Sequence, residues 1–190
     1  MLKKLFRLIF KLKGWKIEGE FPKEVKKCVM IGAPHTSNMD TVLSVAAFDI
    51  MGIPLRFTIK KEWLRFPMSI FLKPLGAIGI DRANKHGKKK SMVEGMVDLF
   101  NRHKELVIIV TPEGTRKKVT QWKTGFYFVA QKAKVPIVLG YLDYKNKIAG
   151  IGEVIYPTGN IEKDFQKIAA FYKDITPKFP EQFALPENKD

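Results

Sequence analysis

A chain of 190 residues with 45% hydrophobic and 28% charged residues suffices for one domain that buries roughly 70% of its unfolded surface, which excludes a disordered or fibrous polymer. Its 34 basic against 19 acidic residues leave a net charge of +15, which calls for a polyanionic partner: nucleic acid, an anionic membrane surface or phosphorylated substrates. A single cysteine, Cys28, excludes an internal disulfide, and no run of 18 apolar residues is present to span a bilayer.

Residues 1–14 predict a basic amphipathic helix. At 100° per residue, Leu2, Leu5, Phe6, Leu8, Ile9, Phe10 and Leu12 share one broad face, and Lys3, Lys4, Arg7 and Lys11 the other. Arg7, Lys11 and Lys13 interrupt the apolar stretch and no small-residue cleavage site follows, so this is not a signal peptide. Two readings fit the pattern: a helix lying in the plane of a membrane surface, or a first helix packed on the domain of residues 15–190.

The following segments alternate. Residues 27–33 read as a buried strand with Cys28 in its core, 38–51 as a mostly apolar helix, and 55–60 as a strand. Residues 62–76 form broken helical turns with bulky apolar groups; 77–81 is a short strand, and 84–90 a basic loop. An amphipathic helix over 91–103 precedes the clearest buried strand, 105–110. A helix over 125–133 leads to strands at 135–144 and 147–158 joined at Lys145–Asn146, then to a final helix over 162–175 and a proline-containing tail. The alternation predicts a single α/β domain with a largely parallel or mixed central sheet flanked by helices. In such sheets functional groups collect past the carboxyl ends of strands, and two polar stretches stand there: "PHTSNMD" after the strand at 27–33, and "TPEGTRKK" after that at 105–110.

Pro34 disfavours helical geometry at Ala33 and ends the strand, while Thr36, Ser37 and Asn38 are all competent helix caps. If Ser37 caps, Asp40 occupies the third helical position, favoured by the helix dipole, and His35 lies just outside the helix with its ring free to fold onto Asp40. Such a carboxylate fixes the imidazole tautomer and makes the other ring nitrogen a better base. Ser37 with Asp40 also approximates a plain capping box, so the pair alone decides nothing. In the second stretch, Gly114 lets a ligand approach the backbone, Thr115 can donate a hydrogen bond, and Arg116 can grip a phosphate. Glu113 could hold Arg116 or bond a substrate hydroxyl. A third stretch, "GAIGIDR", ends on Asp81 and Arg82; Arg82 is either a second phosphate ligand or the partner of Asp81.

"HTSNMD", "GAIGIDR", "TPEGTR" and "VPIVLG" follow one another in the order and approximate spacing of the four motifs of the glycerolipid acyltransferase family. The chain resembles the bacterial 1-acylglycerol-3-phosphate acyltransferases over about residues 28 to 142. It departs from them at Pro34, where asparagine is usual, at Thr111 in place of phenylalanine, and at Leu139 in place of a second proline. The resemblance implies transfer of a fatty acyl group from acyl-CoA or acyl carrier protein to the hydroxyl of a lysolipid acceptor. The acceptor is 1-acylglycerol-3-phosphate, another lysolipid, or a hydroxyl on a non-glycerol lipid. It implies His35 as general base, Asp40 as its orienting partner, and Arg82, Glu113, Gly114, Thr115 and Arg116 as the acceptor-phosphate site. No bound cofactor, metal or covalent acyl-enzyme is required, and the place of work is peripheral, at the cytoplasmic face of the membrane.

The lysines at 85, 88, 89, 90, 117 and 118 then suit an anionic leaflet or the phosphates of the acyl donor, or are simply solvated. His86 and His103 have no metal-ligand partner at useful spacing. The aromatic residues of 122–130 read as core, with a few available to an acyl pocket. A nucleic-acid-binding domain would explain the charge but leaves His35, Asp40 and the "EGTR" turn without a role, and no nucleic-acid motif is present. A non-catalytic membrane-surface protein would not need His35, and a hydrolase lacks a serine nucleophile elbow.

Overall fold

The structure, a computed structural model, describes residues 2–80 and 90–186. Arg82, Asp81, His86 and the lysines at 85, 88 and 89 lie outside the described residues.

Three apolar runs form the middle of the fold: β2 (Lys27–Gly32), β5 (Leu106–Val110) and β6 (Ile137–Asp143). They are parallel neighbours, with Val29 paired to Ile108 on one side and to Ile137 on the other. Runs this apolar are expected of strands covered on both faces. β3 (Leu55–Lys60) and β4 (Ala77–Ile80) extend the parallel sheet past β5. On the far side β7 (Ile148–Ile155) returns antiparallel to β6 through the turn Tyr144–Lys147, and β1 (Lys16–Glu18) pairs parallel to β7. The described residues thus give a seven-stranded mixed sheet in the order β1-β7-β6-β2-β5-β3-β4. β1 is absent from the sequence expectation: three residues carry no usable periodicity, and the pairing with β7 defines them.

Alternate side chains serve the two faces. Val29, Ile31, Ile108, Ile137 and Leu139 point to a core shared with α4 (Met92–Arg102), α5 (Gly125–Ala133) and α6 (Ile161–Tyr172). Each of its large buried side chains, such as Phe100 and Ile168, contributes about 1.5–3 kcal/mol by leaving water. Asp164, fully buried on α6, is satisfied by Tyr127 Oη at 2.9 Å and the Thr158 backbone N–H at 2.7 Å. The aromatics Trp122, Phe126 and Tyr127 belong to this core.

Cys28, Met30, Val107 and Val138 point the other way, toward α2 (Asn38–Ile50). Burial pushes the Cys28 thiol up to about 12, which makes it an inert core side chain. α1 (Leu2–Leu12) packs on α2: Phe10 is buried, and Lys3 and Arg7 pair with Asp49 at 3.4 and 3.3 Å. Leu5, Leu8 and Leu12 remain exposed on the same helix. The broad apolar face is therefore divided, part of it against the domain and part against solvent. Between β3 and β4 the chain makes a 3-10 turn, Lys61–Leu64, and the short helix α3 (Met68–Leu75).

Candidate active site

β2 delivers its last residue, Gly32, to the edge of the α2 layer, and Ala33–Pro34 turns the chain through a cis peptide. Ser37, extended at φ −144°, caps α2; its hydroxyl oxygen accepts from the Met39 N–H at 3.1 Å, and its own N–H donates to Asp40 Oδ2 at 2.8 Å. The capping box expected from the sequence is present. The same carboxylate oxygen also accepts from the Thr36 N–H at 2.9 Å and from Nδ1 of His35 at 3.1 Å. Cap and pair are one structure: the bonds that start the helix also aim Asp40 at the imidazole. A carboxylate only accepts, so Nδ1 carries the proton and Nε2 is the free basic nitrogen.

A fourth donor comes from 104 residues away. Tyr144 Oη, in the turn between β6 and β7, donates to Asp40 Oδ1 at 2.6 Å. Its ring stands edge-on to Trp15 at 4.9 Å, and Trp15 lies 6.0 Å from Phe10 of α1. Burial by itself would raise the Asp40 carboxyl. The bonds from His35, Tyr144 and Ser37 outweigh it and hold the group below its ordinary value. Tyr144 is pushed above the usual phenol range by burial and by the Asp40 charge, so it stays a donor.

The turn after β5 closes the other side of His35. Glu113 is buried and its Oε1 accepts from the His35 N–H at 3.0 Å, while Oε2 has no hydrogen-bond partner among the described residues. Burial drives its carboxyl above the ordinary range, against the opposing pull of its own backbone and the His35 N–H. Glu113 therefore ties two loops together, and neither holds Arg116 nor faces the cavity. With its amide nitrogen turned toward two carbonyls, Gln182 donates to Arg116 O at 2.7 Å and Thr36 O at 3.3 Å. The Phe179 N–H adds a bond to Thr36 Oγ1 at 3.2 Å, so the C-terminal segment braces both loops.

His35 and Asp40 line a cavity of about 590 Å³ between α2 and the sheet, within the usual size of small-molecule sites. Its walls are mostly apolar: Ala47, Phe48 and Met51 from α2, Leu55 and Phe57 from β3, Ile109 from β5, and Leu75 from α3. Gly114, at φ 65°, reaches the cavity beside Lys123, whose side chain crosses the space a Cβ on Gly114 would take. Thr115 and Arg116 sit on the outer part of the same turn, Arg116 exposed, and are not among the lining residues. Lys123, unremarked in the sequence because it stands inside an aromatic core string, is the lysine or arginine that lines the cavity among the described residues, beside Gly114. The neighbouring aromatics do not line the cavity.

The family model described as Acyltransferase matches residues 16–139. A probable 1-acyl-sn-glycerol-3-phosphate acyltransferase of Mycoplasma pneumoniae is 30% identical over 162 residues, 77% of this chain; the chain spans 60% of that relative's length. The crystal structure of the 1-acyl-sn-glycerophosphate (LPA) acyltransferase PlsC from Thermotoga maritima shares the fold, with a TM-score of 0.57 at 20% identity over 88% of this chain and 73% of that one. With its matched segment running from β1 into β6 and taking in the His35 loop, the Asp40 cap and the Gly114 turn, this chain belongs to the acyltransferase family.

Proposed function

We propose that the chain moves a fatty acyl group from acyl-CoA or acyl carrier protein to the hydroxyl of 1-acylglycerol-3-phosphate, giving phosphatidate. The observation that carries the reading is the bond from His35 Nδ1 to Asp40, which leaves Nε2 as a base on the wall of an apolar cavity. An unassisted alcohol attacks a thioester poorly, and a positioned general base contributes about 10² to 10⁴ in rate.

The steps use this chain's own groups. Nε2 takes the acceptor's hydroxyl proton as its oxygen attacks the thioester carbonyl. Asp40 stabilises the imidazolium that forms. The tetrahedral intermediate collapses, the carbon–sulfur bond breaks, and the departing thiolate takes the proton back from Nε2. The acyl chain lies along Ala47, Phe48 and Ile109. The acceptor phosphate is bound by Lys123 and the Gly114 backbone inside the cavity, with Thr115 and Arg116 on the outer part of the same turn; Arg82, the second phosphate ligand implied by the family resemblance, lies outside the described residues. Glu113 acts by holding the His35 loop. Among the described residues no helix is long and apolar enough to cross a membrane, and the chain works as a peripheral protein at the cytoplasmic face.

Acceptor-dependent thiol release tests this, measured in mixed micelles with each donor and a panel of lysolipids. The expected result is release with 1-acylglycerol-3-phosphate and formation of phosphatidate. Release with a different lipid hydroxyl alone would move the acceptor, and release by water without any acylated lipid would overturn acyl transfer in favour of hydrolysis.

A further inference from the structure

The crossover between β3 and β4 is built unlike the others. Trp63, Phe66, Met68, Ile70 and Phe71 are 60%, 81%, 44%, 58% and 60% exposed, five bulky apolar side chains within nine residues. α3 buries none of its residues, although a crossover helix ordinarily lays its apolar stripe on the sheet. The segment is nonetheless anchored. Leu64 and the Lys61 backbone lie so close over β4 that a Cβ on Gly79 would meet them at 3.0 and 3.2 Å, and Gly76, left-handed at φ 104°, ends α3 against Leu55. Isolated exposed apolar residues need no explanation, but a fixed contiguous group of them marks an interaction surface.

We propose that residues 60–73 are a docking surface for an anionic lipid bilayer, with Trp63, Phe66, Ile70 and Phe71 entering the acyl region. The charge selects this occupant. Lys60, Arg65 and Lys73 are exposed around the apolar group, and Glu62 is the single acid in the segment. Tryptophan and phenylalanine flanked by lysine and arginine is the composition of membrane-interface elements, and each cation near an anionic leaflet adds attraction. A second copy of this chain would bring the same cations against these and be repelled. An acidic protein would match the charge but not so much unbroken hydrocarbon.

The location deepens the acyl-transfer reading, on which this part of the inference rests. Leu75, at the inner end of α3, and Phe57 of β3 line the cavity that holds His35. A lipid tail leaving the bilayer at α3 therefore reaches the dyad's cavity along apolar side chains.

Intrinsic fluorescence reads the docking directly. Of the three tryptophans, Trp15 and Trp122 are 8% and 5% exposed, so only Trp63 stands in solvent. Adding vesicles of phosphatidylglycerol and phosphatidylcholine to the full chain should shift emission to the blue and expose it to quenching by brominated lipid chains. Both effects should vanish in Trp63→Phe. Phe66→Ser with Phe71→Ser should lower vesicle partitioning about tenfold or more with an unchanged circular dichroism spectrum, while Leu5→Ser with Leu8→Ser tests α1 separately. Cosedimentation with vesicles while Trp63 stays open to aqueous iodide would overturn the proposal in favour of α1. A blue shift that follows protein concentration without lipid would overturn it in favour of self-association. Turnover on a water-soluble short-chain acceptor without Trp63 insertion would remove the docking surface alone. Insertion without turnover on any acceptor would uphold the docking surface and remove acyl transfer.

Discussion

Replacing Asp40 by asparagine separates its two duties. Asp40 Oδ2 faces three donors, the N–H groups of Thr36 and Ser37 and Nδ1–H of His35, while Oδ1 faces the Tyr144 hydroxyl. An asparagine with its oxygen toward the three donors keeps all three bonds, and its NH₂ meets a hydroxyl that can rotate to accept. Helix cap and tautomer survive; only the charge is lost. Opposite unit charges about 4 Å apart attract by about 4 kcal/mol at an effective dielectric constant of 20, and a half-developed imidazolium feels about half of that. Asp40→Asn should therefore lower kcat by about 30- to 1,000-fold, with little change in KM. Asp40→Ala removes the acceptor as well, so it should lose activity and also Tm, by about 2–4 °C for each kcal/mol of lost capping. The sign with pH follows from the depressed Asp40 carboxyl. Wild type should be the more stable protein above the ordinary carboxylate value, about pH 4, and lose that advantage as pH falls through the lower folded value. The assay is steady-state thioester turnover beside thermal melts of the same preparations. Wild-type kcat in Asp40→Asn would refute the stabilisation of the imidazolium by the Asp40 charge and leave Asp40 as a helix cap and a neutral acceptor for His35.

Glu113→Gln keeps the acceptor for the His35 N–H and removes a buried charge whose second oxygen has no hydrogen-bond partner among the described residues. It should be more stable than wild type by about 1 kcal/mol at pH 8. The gap should narrow as pH falls through the raised Glu113 value and wild type protonates; melts at pH 8 and pH 5 that show a constant or reversed gap would contradict this. Lys123→Ala should lower kcat/KM on 1-acylglycerol-3-phosphate by about 10- to 150-fold, the range of one charge-assisted bond, and leave a phosphate-free monoacylglycerol nearly unaffected. Arg116→Ala should cost less on the same pair of acceptors because Arg116 is exposed outside the cavity. The reverse order would return the phosphate to Arg116.

The parts of the fold legible in the sequence were those whose pattern is local. β2, β5 and β6 are continuous apolar runs because both faces of the sheet are covered, and the mixed sheet with a returning last hairpin follows from the alternation of runs. β1 and the bracing by Gln182 depend on distant partners, and nothing in three residues or a single amide announces them. The site divides the same way. His35 and Asp40 lie five residues apart across a helix start, so their meeting is a local event. Tyr144 reaches Asp40 through the sheet topology and carries no signature of its own. Glu113 stood in a polar turn and read as a ligand; the backbone turns its carboxyl inward, where burial converts it into a tether for the His35 loop. Lys123 hid within aromatic residues that the core of α5 absorbs. The bulk of residues 62–76 was visible, but whether it faces inward or outward depends on how the crossover sits on β4.

The proposed mechanism requires His35 to be the base that activates the acceptor hydroxyl. The most direct test is acyl transfer from a long-chain thioester to 1-acylglycerol-3-phosphate by wild type and by His35→Ala, with melts and circular dichroism on both. His35 is largely covered but, among the described residues, makes its side-chain bond only to Asp40, so the variant should keep its fold and its KM while kcat falls about 10² to 10⁴-fold. Turnover at the wild-type rate in a folded His35→Ala protein would contradict the general-base assignment and, with it, the mechanism built on the His35–Asp40 pair.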